Sequence, residues 1–262
     1  MSFVPAHRGG EGPPLLLLHG FTDTWRTWEP VMSRLESRFE ILAPTLAGHA
    51  GGPDFGPAGP SDTAVVDAVE AALDEAGWEA PAIAGNSLGG WVSLQLAARG
   101  RARSVVALAP AGGWAEDDPA VEEVLGYFRT LAPMVRDAAP NADMIASTPP
   151  GRAAATVAYA SNADHISADL LAHLIRGAAA CQAEPLIEFA IREGWQLDPR
   201  RVTCPVRLVW GTDDKVLVLP GAAARFRDWF PRAEWIEIEG ASHCPQLDHP
   251  LETAELIAGF SA

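Results

Sequence analysis

Very little in this chain could serve to cross-link it. Cys181, Cys204 and Cys244 are its three cysteines, and none stands in a Cys-x-x-Cys pair. So low and odd a count excludes a disulfide framework. Long apolar runs are missing too. The longest near the start, Leu15 to Leu18, is far too short for a membrane span or a signal-peptide core, and no basic segment precedes it. The expectation is a cytoplasmic protein that does not enter a membrane. Positive charge is also scarce, with 19 Lys and Arg against 34 Asp and Glu and a net charge of −15. A field of that sign repels phosphate backbones and anionic lipid, which argues against nucleic acid and membrane surfaces as partners. The acidic residues are spread along the chain, as on a solvated surface. No His-Glu-x-x-His, Gly-x-Gly-x-x-Gly or Gly-x-x-x-x-Gly-Lys occurs, so neither a metal nor a nucleotide cofactor is implied.

What is present is enough apolar residue for one sizeable core: 48% hydrophobic against 20% charged, over 262 positions. Short β-type runs alternate with helical stretches. The runs are Leu15–Leu18, Ile41–Ala43, Pro81–Ala84, Val105–Leu108, Val206–Val209 and Trp235–Ile238. Helical spacing marks the stretch from about Thr24 to Ser37, then Val65-Val69-Leu73 ending at Gly77, and Leu88 to Arg99 closed by Gly100. A Gly/Pro-rich loop from Gly48 to Pro60 should lie on the surface. Continuous apolar strands separated by helices predict an α/β fold, a mostly parallel sheet flanked by helices on both faces. Residues 113–200 break the rhythm. They are Ala-rich, lack a convincing strand and carry helical patterns over Val121–Met134, Ala153–Ala160, Ala168–Ala180 and Pro185–Glu193. They read as a helical cap inserted into a core made of residues 1–112 and 201–262. Ahead of Leu15 there is room for one strand at most.

Gly85-Asn86-Ser87-Leu88-Gly89 fits Gly-x-Ser-x-Gly, with a strand entering it and a helix leaving it. Serine is a weak nucleophile at its free pKa and has to be presented bare to a base and to substrate. A sharp strand-to-helix turn does this, and the small residues two positions away on either side relieve backbone crowding there. The helix N-terminus also points free N–H groups at developing negative charge.

With those residues in view, the chain from about Pro13 onward resembles the α/β-hydrolase superfamily, of the serine hydrolase type with a helical cap. The resemblance implies a triad in the chain order Ser, Asp, His. Ser87 is the nucleophile it implies, and His243 in Gly240-Ala241-Ser242-His243 the base, with His249 as a weaker competitor. The acid falls in Gly211-Thr212-Asp213-Asp214; the family spacing favours Asp214 over Asp213. Backbone N–H groups of Phe21, after His19-Gly20, and of Leu88 would form an oxyanion hole, with His19 bracing the loop. The implied activity is hydrolysis of a small carboxylic ester through an acyl-enzyme on Ser87, without cofactor. Serine at the elbow disfavours the family's epoxide hydrolases and haloalkane dehalogenases. Carbon–carbon hydrolysis of meta-cleavage products is the alternative suggested by Gly85-Asn86-Ser87, although the Gly-Gly-Pro-Gly insertion common in that group is absent after His19-Gly20. Thioesterase, lactonase or perhydrolase activity uses the same parts, and a low-turnover ligand receptor is a further alternative. No feature specifies an oligomeric state.

Thr45-Leu46-Ala47-Gly48-His49-Ala50 stands where many members carry Asp-x-x-Gly-His-Gly. His165 and His173, eight apart, are expected on one helical face of the cap as ordinary partly buried histidines. Trp25, Trp28, Trp91 and Trp114 flank the candidate loops; most are expected in the core, and some could line an apolar pocket. Cys244 reads as a small buried thiol.

Overall fold

Apolar runs without polar interruption can bury both faces, and here they become neighbouring strands. The computed structural model describes residues 2–57 and 59–262. Its sheet contains β1 (Ala6–Gly9), β2 (Pro14–Leu18), β3 (Glu40–Pro44), β4 (Ala82–Asn86), β5 (Ser104–Leu108), β6 (Val206–Gly211) and β7 (Glu234–Ile238), in the order β1-β3-β2-β4-β5-β6-β7. All pairs are parallel except β1 with β3, so the one strand ahead of Leu15 closes the edge in the opposite direction. The central register sets Leu16 against Ile83, Ile83 against Val105, and Val105 against Val206.

Alternation along these strands splits the core into two layers. Leu16, Leu18, Ile83, Val105 and Leu208 face α2 (Asp62–Ala76) and α3 (Leu88–Ala98). Leu15, Leu17, Val106, Leu108 and Val209 face Trp28, α1 (Glu29–Glu36) through Leu35, and α11 (Pro250–Ser261) through Ile257. Helix boundaries follow local chemistry. Ser61 caps α2 by accepting the Ala64 N–H, and Gly77 ends it with a left-handed φ of 74°. The helix expected from Thr24 to Ser37 is a 3₁₀ turn over Trp25–Trp28 followed by α1, because Pro30 has no N–H to extend the preceding turn.

Between β5 and β6 the described residues hold five α-helices and no strand: α4 (Ala120–Ala138), α5 (Ala142–Ser147), α6 (Pro149–Thr156), α7 (Ala168–Ala180) and α8 (Pro185–Glu193). The helix expected at Ala153–Ala160 starts earlier, at Pro149, where Thr148 caps it, and α5 had no counterpart in the sequence reading. Beyond β6 come α9 (Ala224–Trp229) and α10 (Pro245–Asp248). The Gly48–Pro60 loop is surface from Gly51 onward, but His49 and Ala50 are buried; Ala58 lies outside the described residues. No helix among the described residues is long and apolar enough to cross a membrane.

Two neutral histidines stiffen the loop after β2. His19 accepts the Leu46 N–H at its Nε2 (2.9 Å), so its Nδ1 carries the proton and donates to the Gly20 carbonyl (2.8 Å). His49 lies edge-on to it, with ring centroids 5.0 Å apart, and donates from Nδ1 to Ala47 O. Burial holds His19 well below the usual imidazole range and takes His49 to about 4.

Truncating Ile83, fully buried in the central strand, to Ala should lower unfolding free energy in urea by about 2–5 kcal/mol. Met134→Ala, 63% exposed, should stay within about 0.5 kcal/mol of the parent. The His49 pKa lies below that of an unfolded histidine, so its neutral form is stabilising above pH 6.5 and the contribution is lost as pH falls toward 4. His49→Leu should therefore show an acid-side loss of stability smaller than the parent's by about 3 kcal/mol, read as the difference between their urea midpoints across that window.

Candidate active site

Strand β4 runs directly into α3 through Ser87, whose φ of 54° and ψ of −115° are strained for a residue with a side chain. Three backbone bonds hold it there. Its N–H donates to Leu108 O (2.9 Å), and its carbonyl accepts from Trp91 and Ala111 (3.1 Å each). A Cβ on Gly85 would overlap the Gly89 carbonyl, and one on Gly89 would overlap the Leu18 carbonyl, so both glycines are sterically required.

The other groups arrive on loops that leave the same end of the sheet. Among the sequence candidates for the acid, Asp214 is buried and Asp213 is exposed. Asp214 Oδ2 accepts from His243 Nδ1 at 2.9 Å, while Oδ1 accepts the Val216 and Leu217 N–H groups at 2.8 Å each. A carboxylate only accepts, so Nδ1 of His243 carries the hydrogen and Nε2 keeps its lone pair. His249 faces the surface near Glu252 and takes no part.

Asn86 ties the Ser87 turn to the histidine loop. Its Nδ2 donates to His243 O (2.9 Å) and Leu108 O (3.1 Å), and its Oδ1 accepts from Gln246 Nε2 (3.2 Å) and the Cys244 thiol (3.4 Å). The Cys244 thiol is pushed well up, first by burial and then by nearby Asp carboxylates, and so remains a donor.

Asp248 forms a second tie, one that sequence reading did not single out. One carboxylate oxygen accepts the Ser242 N–H (2.6 Å) and the other the Asn162 N–H (3.1 Å). Cys244 N–H adds a bond to Tyr159 O (2.9 Å), and Lys215, next to Asp214, reaches Val157 O (3.3 Å). The stretch 157–162, between α6 and α7, thus touches both the acid loop and the histidine loop.

Ser87, Phe21 and Leu88 line one cavity of about 50 Å³, partly open to solvent. The N–H groups of Phe21 and Leu88 find no acceptor among the described residues. The remaining wall is apolar, with Trp114, Leu125, Phe128, Leu186 and Trp195 prominent. Of the tryptophans expected nearby, Trp114 lines the cavity, Trp28 and Trp91 are wholly buried, and Trp25 stacks on His7. Trp195 and Phe128 were invisible in the sequence because only packing brings them here. His165 does not share a helical face with His173: Ser167 caps α7, so His165 lies exposed ahead of it, while His173 is buried against Thr24. Among the described residues no group of three or more His, Cys, Asp or Glu is placed to hold a metal ion.

Comparison with known proteins agrees with this architecture. The model of the "Alpha/beta hydrolase family" matches residues 15–256. The epoxide hydrolase EphH of Mycobacterium tuberculosis is 34% identical over 203 residues, covering 76% of this chain and 94% of its own. The pimeloyl-[acyl-carrier protein] methyl ester esterase of Aeromonas hydrophila is 26% identical, with 98% of each chain covered. The crystal structure of Cfl2 from Burkholderia cenocepacia superposes with a TM-score of 0.76 at 18% identity, over 98% of this chain and 91% of that one. The chain belongs to the alpha/beta hydrolase family and is a hydrolase.

Proposed function

We propose that the protein hydrolyses small, uncharged carboxylic esters through an acyl-enzyme on Ser87. In this reading residues 1–112 and 201–262 form the catalytic core and residues 113–200 a cap over it. The observation that carries it is a serine held in a strained strand-to-helix turn, at the mouth of an apolar cavity, with a buried His243–Asp214 pair on the adjoining loop.

The steps follow from the atoms present. Ser87 Oγ attacks the ester carbonyl while His243 Nε2 takes its proton; the charge that builds on the carbonyl oxygen is met by the Phe21 and Leu88 N–H groups. The imidazolium, steadied by Asp214, then protonates the departing alcohol. Water activated by the same nitrogen cleaves the acyl-enzyme and restores Ser87. Asp214 cannot swing away, because its second oxygen is held by two backbone donors.

Cavity chemistry and nucleophile narrow the substrate. No charged side chain lines the cavity among the described residues, so a substrate bearing a carboxylate, as meta-cleavage products do, would be buried without a partner. Epoxide opening, the activity in the name of the Mycobacterium tuberculosis relative, suits an aspartate nucleophile: its alkyl ester retains a carbonyl for water to attack. Opening by serine would leave an ether with no such carbonyl. Thioesters and lactones offer the same electrophile as esters and face the same demand for an uncharged acyl group.

A fluorophosphonate should label the protein, and Ser87→Ala should abolish both labelling and p-nitrophenyl acetate turnover; turnover surviving in that variant would overturn the assignment. Asp214→Asn should lower kcat by roughly 10⁴-fold, by loss of the correct imidazole tautomer, whereas Asp213→Asn should change it by less than about threefold. Asp248→Asn replaces an acceptor with a donor facing buried N–H groups. It should cost about 1–3 kcal/mol of stability in urea and slow fluorophosphonate labelling of the folded protein.

A further inference from the structure

The cavity beside Ser87 is not the only apolar hollow against α4. A second, of about 30 Å³ and likewise partly open to solvent, lies farther along the same helix between Leu131, Ala132, Val135, Ala178 and Cys181. Phe21, Phe128 and Ile187 line both hollows. Along α4, Val124, Leu125 and Phe128 face the first, and Phe128, Leu131, Ala132 and Val135 face the second. This i, i+3, i+4 spacing is a single helical face, and from Val124 to Val135 it extends about 16 Å at 1.5 Å per residue. What divides it is one aromatic pair: Phe21 and Phe128 meet edge to face, with centroids 5.1 Å apart at 78°.

The two members of the pair are not equivalent. Phe21 belongs to the loop that supplies a backbone N–H to the site, and its ring is also seated on His49 at 5.7 Å. Phe128 belongs to α4 and touches neither the Ser87 turn nor the histidine loop through any hydrogen bond. Thr22, Arg136 and Glu184 are the polar residues of the second hollow's lining, and Arg136 pairs with Glu184 at 3.3 Å, both half-exposed. Burial pushes the Cys181 thiol up to about 11, and it contributes a neutral wall.

We propose that the two hollows form one binding channel for an unbranched alkyl chain, and that Phe128 is the internal stop that sets the chain length accepted. The ligand class follows from the shared face of α4, which is apolar from Val124 to Val135. This rests on the ester-hydrolase reading only for its kinetic test. The chain can come from the acyl group or from the alcohol of the ester, and the two are separable.

Two substrate series decide it: p-nitrophenyl esters from acetyl to dodecanoyl, and alkyl acetates from ethyl to dodecyl. In Phe128→Ala the ratio of kcat/KM for long over short chains should rise, by about fourfold for each further methylene admitted, equivalent to the ~0.8 kcal/mol of burying one. A rise in the acyl series assigns the channel to the acyl tail, and one in the acetate series to the leaving alcohol. Adding Ala132→Phe should refill the second hollow and cancel the gain. Phe128→Leu serves if the Ala variant fails to fold. An unchanged ratio in both series, with near-ultraviolet circular dichroism intact, overturns the proposal. Binding separates this from the hydrolase reading. Ser87→Ala protein titrated with linear alcohols from butanol to dodecanol, followed by the fluorescence of Trp114 and Trp195, should show affinity rising per methylene up to a limit that Phe128→Ala moves to longer chains. That shift would support the channel even if no ester were hydrolysed, and a limit that does not move would overturn it.

Discussion

One side-chain amide has all of its hydrogen-bonding capacity spent on holding the site together. Asn86 uses two donors and two acceptor positions on four partners: a sheet carbonyl, the carbonyl of His243, the Cys244 thiol and the Gln246 amide. It is buried, so each bond is made in a surrounding where an unpaired polar group is expensive. The strained serine and the histidine are therefore not two loops that happen to face each other. They are the two ends of one short polar network, and the conformational energy stored at Ser87 is supported by it together with three backbone bonds. The glycines at 85 and 89 matter to the same end, since they let three backbone segments come within contact.

Electrostatically the site is a polar seam against an apolar chamber. The carboxylate of Asp214 is compensated by two amide N–H groups and an imidazole, while among the described residues the cavity wall beside Ser87 carries no charged side chain. In the proposed reaction, charge that develops on the carbonyl would meet N–H groups in a medium where such interactions are poorly screened. The acidic exterior, at a net charge of −15, plays no part in this chemistry beyond its effect on what approaches.

Much of the scaffold was legible because it is written in local pattern. Runs such as Leu15–Leu18 and Val105–Leu108 have no polar interruption, and each is bounded by residues that end a strand. The turn at Gly85–Gly89 is a local steric problem with a local solution. Boundaries were lost where alanine is abundant: Ala153–Ala160 is compatible with helix throughout, and the capping Thr148-Pro149 marks the true start. The site was legible only in part. Grouping Asp214 and His243 with Ser87 as one candidate site took the family resemblance, since 127 and 156 residues separate them from the serine. Asp248 left no signal, because its partners are backbone N–H groups of remote loops, and Trp195 and Phe128 acquire their positions only by packing between helices.

The stretch from Val157 to Asn162 meets the acid and histidine loops through its own main chain: the carbonyls of Val157, Ala158 and Tyr159, and the N–H of Asn162. Main-chain atoms are present whatever residue occupies a position. Substitution in this stretch therefore leaves those main-chain bonds available, while the Tyr159 side chain adds packing against the cluster that contains Cys244 and Leu247. A proline at Asn162 would remove one of those bonds, the N–H that Asp248 accepts. The tie between this stretch and the two loops therefore depends on where its backbone runs more than on which residues it carries.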